Sequence, residues 1–445
     1  MVRYKKIKNN LSLVDPMKIG VLHWAFPPVV GGVESHLIYL YGELAQKGHD
    51  ISILTAPHPE RDDSSVKWCK IVSDDLMNLD SLQNSIPKEG RYEKVYDMIE
   101  NFILDETPDV VHAHNFHYFI PDHAECLDEV CKKYGIPMVL TIHNYWEDDL
   151  CRHLMKDIGW DKIVAVSYHM KNPSLFDSKV PLDKVEVHYH GVDLDKYRVI
   201  EDRDSVRSKL NLDGREVVFH PARACRSKGT MHSIEAVARL RERYPNICLI
   251  VSGNGDSVDF EQERPQFRSE VASLVDELKM RDNILFVSPS GDEMPLYMNA
   301  SDVILYPTIM PQGEAFGIAP VEAMACGKPV IVTNSGGLVE STSMNINGIV
   351  VDRDPDKLVD ALVENIDRLL TDKNYAEYLG SNGREIAIER FDSRKMAMRM
   401  EDLYNRLLNE NLTKCESRVG PAIKRKAGDD KIKANCTHST SFKLI

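Results

Sequence analysis

Two glutamates, Glu314 and Glu322, stand in the run Gly313-Glu314-Ala315-Phe316-Gly317-Ile318-Ala319-Pro320-Val321-Glu322, which continues through Ala-Met-Ala-Cys326 to Gly327-Lys328-Pro329. Pro320 suits the first turn of a helix and Gly327 its end, so Glu314 falls in the entering loop and Glu322 about one turn inside. Carboxylates placed this way can face one cleft at different depths. Glu322 can accept hydrogen bonds from a ribose diol, while Glu314 and the backbone N–H groups after it can meet sugar hydroxyls and phosphate. The helix dipole ordinarily explains a lone glutamate in a first turn; glycines on both flanks favour the ligand reading here.

A second run, Arg223-Ala224-Cys225-Arg226-Ser227-Lys228-Gly229, crowds three cations into six residues. Such crowding is unfavourable unless an anion neutralises it, and a diphosphate is the natural candidate. A third run, Trp24 to Glu34, holds Gly31-Gly32 just before a helical pattern. Paired glycines let a ligand approach the backbone at a helix N-terminus, which favours phosphate; a plain flexible loop is the structural alternative. Neither this loop nor Gly253-Asn254-Gly255 completes a Gly-x-Gly-x-x-Gly fingerprint, which disfavours a dinucleotide oxidoreductase.

These loops need strands and helices to hold them. Apolar runs predict strands at Ile19–Leu22, Asp50–Thr55, Val110–Ala113, Met138–Ile142 and Lys162–Val166, with helices over Glu34–Lys47 and Ala124–Tyr134. After His190-Gly191-Val192 the pattern restarts: strands Glu216–His220, Ile247–Ser252, Ile284–Val287, Val303–Tyr306, Pro329–Thr333 and Gly348–Val351, with helices Met231–Tyr244, Pro320–Cys326 and Lys357–Leu370. Strands alternating with helices imply doubly wound parallel sheets. The reading is an α/β chain with a basic extension over 1–17, one Rossmann-like domain over 18–195, a second over 196–390, a closing helix over 391–410 and a disordered basic tail over 411–445. In open parallel sheets, ligands bind where strands lead into helices, which is where the three runs fall.

Composition narrows the partners. The 445 residues carry a formal charge of −14, yet Met1–Asn10 is +4 and Asn411–Ile445 is +5, which leaves −23 on the body. A body so acidic argues against nucleic acid. The basic ends are compatible with weak contact to an anionic membrane surface, although solvated tails are the simpler account. No apolar run reaches the roughly 20 residues that cross a bilayer, and the first ten residues lack a signal-peptide core, so a cytoplasmic protein is expected. The nine cysteines form no Cys-x-x-Cys and read as reduced, buried thiols. Asp-x-Asp strings at 193/195, 202/204, 352/354 and 354/356 read as loop acids, and the histidines at 112, 114, 117 and 123 as substrate contacts or packing, so no metal site is assigned.

The motifs together resemble the family 4 retaining glycosyltransferases. Glu314 and Glu322 match a Glu-x7-Glu signature, Arg223 with Lys228-Gly229 an Arg…Lys-Gly diphosphate clamp, and Pro27-Pro28 with Gly31-Gly32 an opening loop. Thr141-Ile142-His143 and Gly191-Val192-Asp193 match two further segments, in the expected order. The resemblance implies a GT-B fold, a nucleotide-sugar donor on the C-terminal domain and an acceptor on the N-terminal one. It implies that Arg223 and Lys228 stabilise the departing diphosphate without metal or other cofactor, that Glu322 binds ribose, and that Glu314, Phe316 and Gly317 hold donor sugar and phosphate. Gly31, Gly32 and Gly253 complete the donor set, and His143 lies near the reacting face of the sugar. A UDP-sugar is the expected donor, with a GDP-sugar as the alternative. The acceptor, a hydroxyl of a saccharide, aminocyclitol, lipid-linked sugar or small polyol, is expected near Glu34, His114, Asn115 and Asn144. Many relatives read Gly-Arg-Leu where this chain has Ala222-Arg223-Ala224-Cys225-Arg226; the second arginine either grips a further anionic group or points to solvent. The same fold also hosts nucleotide-sugar epimerases, disaccharide phosphorylases and non-catalytic binding proteins.

Overall fold

A computed structural model describes residues 15–29, 31–253 and 264–418. The basic N-terminal extension as far as residue 14, Asn254-Gly255 and the tail from 419 onward lie outside the described residues. The strands are β1 (Lys18–Leu22), β2 (Asp50–Thr55), β3 (Lys70–Ser73), β4 (Val110–His114), β5 (Met138–Ile142), β6 (Lys162–Ala165) and β7 (Val185–Val187), then β8 (Val217–His220), β9 (Cys248–Ser252), β10 (Ile284–Val287), β11 (Val303–Tyr306), β12 (Val330–Thr333) and β13 (Ile349–Val351). The first seven form one parallel sheet in the order β3-β2-β1-β4-β5-β6-β7, and the last six a second in the order β10-β9-β8-β11-β12-β13. Central strands such as β4, β5, β8 and β11 are buried along their whole length, which is why they read as largely apolar runs, broken in β4 and β8 only by buried histidines. Strand order reverses beside β1 and β4 in one sheet and beside β8 and β11 in the other. At those switch points adjacent loops diverge and leave a crevice.

Two edge strands escape the periodicity reading. β3 spells Lys-Ile-Val-Ser and has no fully buried residue, while β7 has three residues, so neither carries a core-strand signature. The helix Arg91–Glu106 fills a stretch to which the reading gave no element. The helix Lys373–Arg390 contains Gly380 and Gly383, which weaken a helical reading. Both glycines are needed for packing: a Cβ on Gly380 would lie 2.2 Å from the Gly327 carbonyl oxygen, and one on Gly383 3.2 Å from Met324 Cγ.

The chain crosses between the sheets twice, and the crossings touch. Val192 N–H donates to the Phe391 carbonyl (2.8 Å) and Ser393 N–H to the Val192 carbonyl (3.0 Å). The last helix, Ser393–Arg418, then returns to the first sheet and runs eight residues past the expected end at 410. Its Glu401 accepts from Lys47 Nζ (2.6 Å) and contacts His49 Nε2 (2.9 Å), and Tyr404 Oη sits 2.6 Å from His112 Nδ1. One apolar core therefore spans the first sheet, the crossing and the inner face of the second sheet, and a second core fills the far face of the latter. No helix among the described residues is long and apolar enough to cross a membrane.

Candidate active site

The basic run leaves β8 and turns at Gly229 into the helix Thr230–Leu240. Gly229 has φ +74°, and a Cβ there would lie 2.1 Å from the Pro307 carbonyl oxygen, so only glycine lets this turn press on the end of β11. Ser227 carbonyl accepts from Thr308 Oγ1 (2.8 Å) and Ile309 N–H (2.8 Å), tying the two loops together. Lys228 is thereby aimed inward. Its Nζ donates to Glu314 Oε1 and to Tyr306 Oη (3.3 Å) and lies 5.4 Å from the Tyr306 ring centroid. Burial pulls the lysine down, but the facing carboxylate and the phenol outweigh it and hold its pKa above the ordinary value. The Arg223 charge acts on the same Tyr306 hydroxyl, and a Cβ on Gly253, at the end of β9, would stand 3.2 Å from Arg223 Cα. Arg226 turns elsewhere: it pairs with Glu270 and lies over the Phe267 ring at 5.5 Å. The second arginine is thus taken up by the helix Arg264–Glu277 and does not join Lys228.

The glutamate loop enters the helix Ile318–Ala325 through Gly317, whose φ is +85° and whose Cβ would meet Leu338 Cδ2 at 2.4 Å. The loop is fixed from both sides. Gly337 N–H donates to the Glu314 carbonyl (2.7 Å) and Ser167 Oγ, from the first domain, to the Ala315 carbonyl (2.5 Å). The Phe316 ring is 1% exposed and packs among Tyr189, His190 and Phe391, so ligand contact at this position falls to its backbone. Glu322 is buried where the domains meet. Its Oε1 accepts from Tyr39 Oη of the first domain (2.8 Å), and Tyr197 stands beside it. Burial raises the Glu322 carboxyl above its usual range, opposed by these two phenols. The carboxylate expected to bind a ribose diol is therefore already met by a tyrosine hydroxyl across the cleft.

On the facing side, Gly31 caps the helix Gly32–Gln46, and Glu34 folds back over its N-terminus. A Cβ on Gly31 would lie 2.3 Å from Glu34 Oε2, and Glu34 Oε1 is 3.4 Å from His23 Nε2. Asn115, in the left-handed region at φ +59°, accepts the His143 N–H on its Oδ1 (2.9 Å) and so sets His143 after β5. His114 Nδ1 is 3.0 Å from His143 Nε2, and both rings are buried. Asn144 is exposed and donates to Tyr118 Oη (3.3 Å). The histidine run divides: His112 bonds Tyr41, Thr141 and Tyr404, while His117 and His123 meet the carbonyls of Asn144 and Leu76. Three Asp-x-Asp acids are spent on the chain's own turns. Asp193 Oδ1 accepts the N–H groups of Asp195 and Lys196, Asp202 caps Arg203–Lys209, and Asp354 caps Pro355–Thr371. Cys69, Cys126, Cys131, Cys151, Cys225, Cys248 and Cys326 are free thiols.

Several residues at the cleft had no distinguishing sequence signal. Tyr306, Tyr39 and Tyr197 read as core aromatics. Glu340 gives both carboxylate oxygens to the N–H groups of Tyr168 (2.8 Å) and His169 (2.7 Å), and so holds the start of a first-domain helix from the second domain.

Comparison with known proteins agrees with this architecture. Residues 30–196 match the family profile "Glycosyltransferase Family 4" and residues 202–386 match "Glycosyl transferases group 1". The chain is similar to an uncharacterized glycosyltransferase of Methanocaldococcus jannaschii, with 25% identity over 409 residues, covering 87% of this chain and 98% of that one. Among solved structures it resembles a glycosyltransferase from Rickettsia africae, at TM-score 0.73 and 23% identity over 89% of this chain and 99% of the other. It also resembles the Anabaena protein HepE in complex with UDP and glucose, at TM-score 0.69 and 19% identity over 87% of this chain and 99% of that one. The two profiles together cover both domains apart from β1 and the loop that follows it, and the chain belongs to the family 4 glycosyltransferases, with their GT-B fold.

Proposed function

We propose that the protein transfers a hexosyl group from a UDP-sugar to a hydroxyl acceptor with retention of configuration and without a metal ion. The observation that carries this reading is the buried Lys228 at the β8/β11 switch point, paired with Glu314 and adjoining Tyr306, Arg223 and Gly253. Lys228 and Arg223 place positive charge where a diphosphate leaving group develops negative charge, which is where the barrier to glycosyl departure is lowered. Glu314 neutralises Lys228; with donor bound, the diphosphate takes over that charge and Glu314 turns to sugar hydroxyls. Glu322 exchanges the Tyr39 hydroxyl for the ribose diol. His143, held by Asn115, faces the reacting carbon, and a diphosphate oxygen accepts the acceptor proton on the same face. The HepE complex, which holds UDP, supports uracil as the donor's base.

The acceptor meets the first domain around Glu34, His114, Asn115 and Asn144. Exposed Phe119 and Trp146, either side of Tyr118, add a flat apolar rim suited to a pyranose face. Proton NMR of the product tests the stereochemistry, and the same reaction in EDTA tests the metal requirement. An α-linked product from an α-linked donor at an undiminished rate is expected; a β-linked product, or activity abolished by EDTA and restored by a divalent ion, overturns the mechanism.

A further inference from the structure

Lys328 follows Gly327 at the end of the helix Ile318–Ala325, immediately before Pro329 and β12. Its side chain is largely covered, yet among the described residues no hydrogen bond or ion pair reaches Nζ. Burial, with Arg203 next in effect, pushes its ammonium down to about 7; Arg207 adds to the fall, while Asp302 and Cys326 oppose it. Asp302 does not serve as its counter-ion because that carboxylate is already spent. Oδ1 accepts from Arg203 Nη2 (2.9 Å), and Oδ2 accepts from Arg207 Nη2 (2.7 Å) and the Val217 N–H (2.8 Å). A covered cation with no partner is costly, and the structure around it should supply a reason.

The reason is a cavity of about 260 Å³, which Lys328 lines together with Arg203, Asp302, Lys373 and Glu377. Arg203 gives Nε and Nη2 to the carbonyls of Asn299 and Ala300 and to Asp302, which leaves its Nη1 unused. Lys373, exposed in the first turn of the helix Lys373–Arg390, has no protein partner among the described residues. Three cations therefore line this space, against one unspent carboxylate, that of Glu377 at the exposed rim.

We infer that this cavity is a binding site for a phosphate-type oxyanion, either free phosphate or the phosphate of a small sugar ester, held by Lys328 with Arg203 and Lys373. An oxyanion accepts charge-assisted hydrogen bonds from ammonium and guanidinium groups alike, and so supplies the partner that Lys328 lacks. The space is smaller than the roughly 300–1,000 Å³ of pockets for drug-sized ligands, which suits a phosphate group and excludes a whole nucleotide sugar. Its place separates it from the donor cleft. Asp302 and Pro329 precede β11 and β12, so the cavity opens at the strand-entry edge of the second sheet, whereas the cleft lies at the strand exits. The helix Ile318–Ala325 joins the two, with the glutamate loop at one end and Lys328 past the other. The assignment does not rest on the transfer reaction, since the donor diphosphate is served by Arg223 and Lys228.

The test is calorimetric titration of the full chain with inorganic phosphate and, separately, with glucose 6-phosphate. A site is expected that Lys328→Met weakens at least tenfold and that Lys228→Ala, which disables the clamp in the cleft, leaves in place. Tighter binding of the ester identifies an esterified ligand, and binding of free phosphate alone identifies the inorganic ion; either supports the site. Absence of any such site from the native chain, its survival in Lys328→Met, or its loss in Lys228→Ala overturns the proposal. Should a variant fail to fold, diffraction from native crystals soaked in tungstate decides. Anomalous density within hydrogen-bond reach of Lys328 Nζ supports the site; density confined to Lys228, or none, refutes it.

Discussion

Glu314→Gln isolates the charge that the buried lysine faces. The exchange keeps shape and leaves an amide oxygen to accept from Nζ, but removes the counter-ion of an ammonium whose side chain is 11% exposed. Removing one partner of a buried ion pair costs about 3–5 kcal/mol. The amide oxygen, the Tyr306 hydroxyl at 3.3 Å and the Tyr306 ring face recover part of this, which leaves about 2–3 kcal/mol. For a domain of about 150–250 residues each kcal/mol shifts the midpoint by about 2–4 °C. Scanning calorimetry without ligand should therefore show a fall of about 5–10 °C. UDP should narrow the gap, because its diphosphate supplies the missing negative charge. By titration calorimetry the variant should bind UDP about tenfold more tightly than the native protein, about 1.4 kcal/mol, since Glu314 no longer competes for Lys228. Turnover should fall at the same time, because the sugar has lost its carboxylate. A variant that melts like the native protein and gains no affinity for UDP refutes the coupling between this pair and the donor.

Lys228→Ala should lower kcat by about a hundredfold or more while changing donor KM by less than tenfold, as loss of a group acting on the leaving charge predicts; native turnover at saturating donor removes Lys228 from the mechanism. Glu322→Ala should weaken UDP binding at least tenfold in calorimetry, and unchanged affinity counts against ribose recognition there. Asp302 supplies a pH prediction: burial pushes its carboxyl up, but Arg203 (2.9 Å), Arg207 (2.7 Å) and the Val217 N–H pull it further down, below the usual carboxylate range. A lowered folded pKa gives stability that is present above the unfolded value and is lost as pH falls through the folded one. Asp302→Asn should therefore melt lower than the native protein at pH 7, with the difference closing as pH drops below about 4; a constant gap across that range contradicts the assignment.

Much of this molecule could be read from its sequence because its central strands are buried on both faces. Apolar runs such as Val303–Tyr306 then carry their own boundaries, and glycines such as Gly229, Gly317 and Gly327 mark turns that no other residue tolerates. Glu314, Glu322, Arg223 and Lys228 were visible because charge beside such glycines is unusual. What stayed hidden depends on contacts between distant segments. β3 and β7 are short edges without a core pattern. Tyr39 and Tyr306 look like packing until Glu322 and Lys228 arrive beside them from residues far along the chain. The histidines show the same limit: the run 112–123 drew attention by spacing, yet His36 and His190, from other elements, are the rings that the fold brings to His114 and His143. For Arg226 the sequence leaves a further anion or solvent as its partner, and only the helix at 264–277 reveals that it pairs with Glu270.

The account stands most directly on product analysis. Purified protein incubated with UDP-sugars against a panel of saccharide, cyclitol and polyol acceptors, followed by mass spectrometry, should yield one glycosylated acceptor for each UDP released, and Lys228→Ala should yield almost none. An epimerised or phosphorolysed sugar without release of UDP contradicts glycosyl transfer at this cleft.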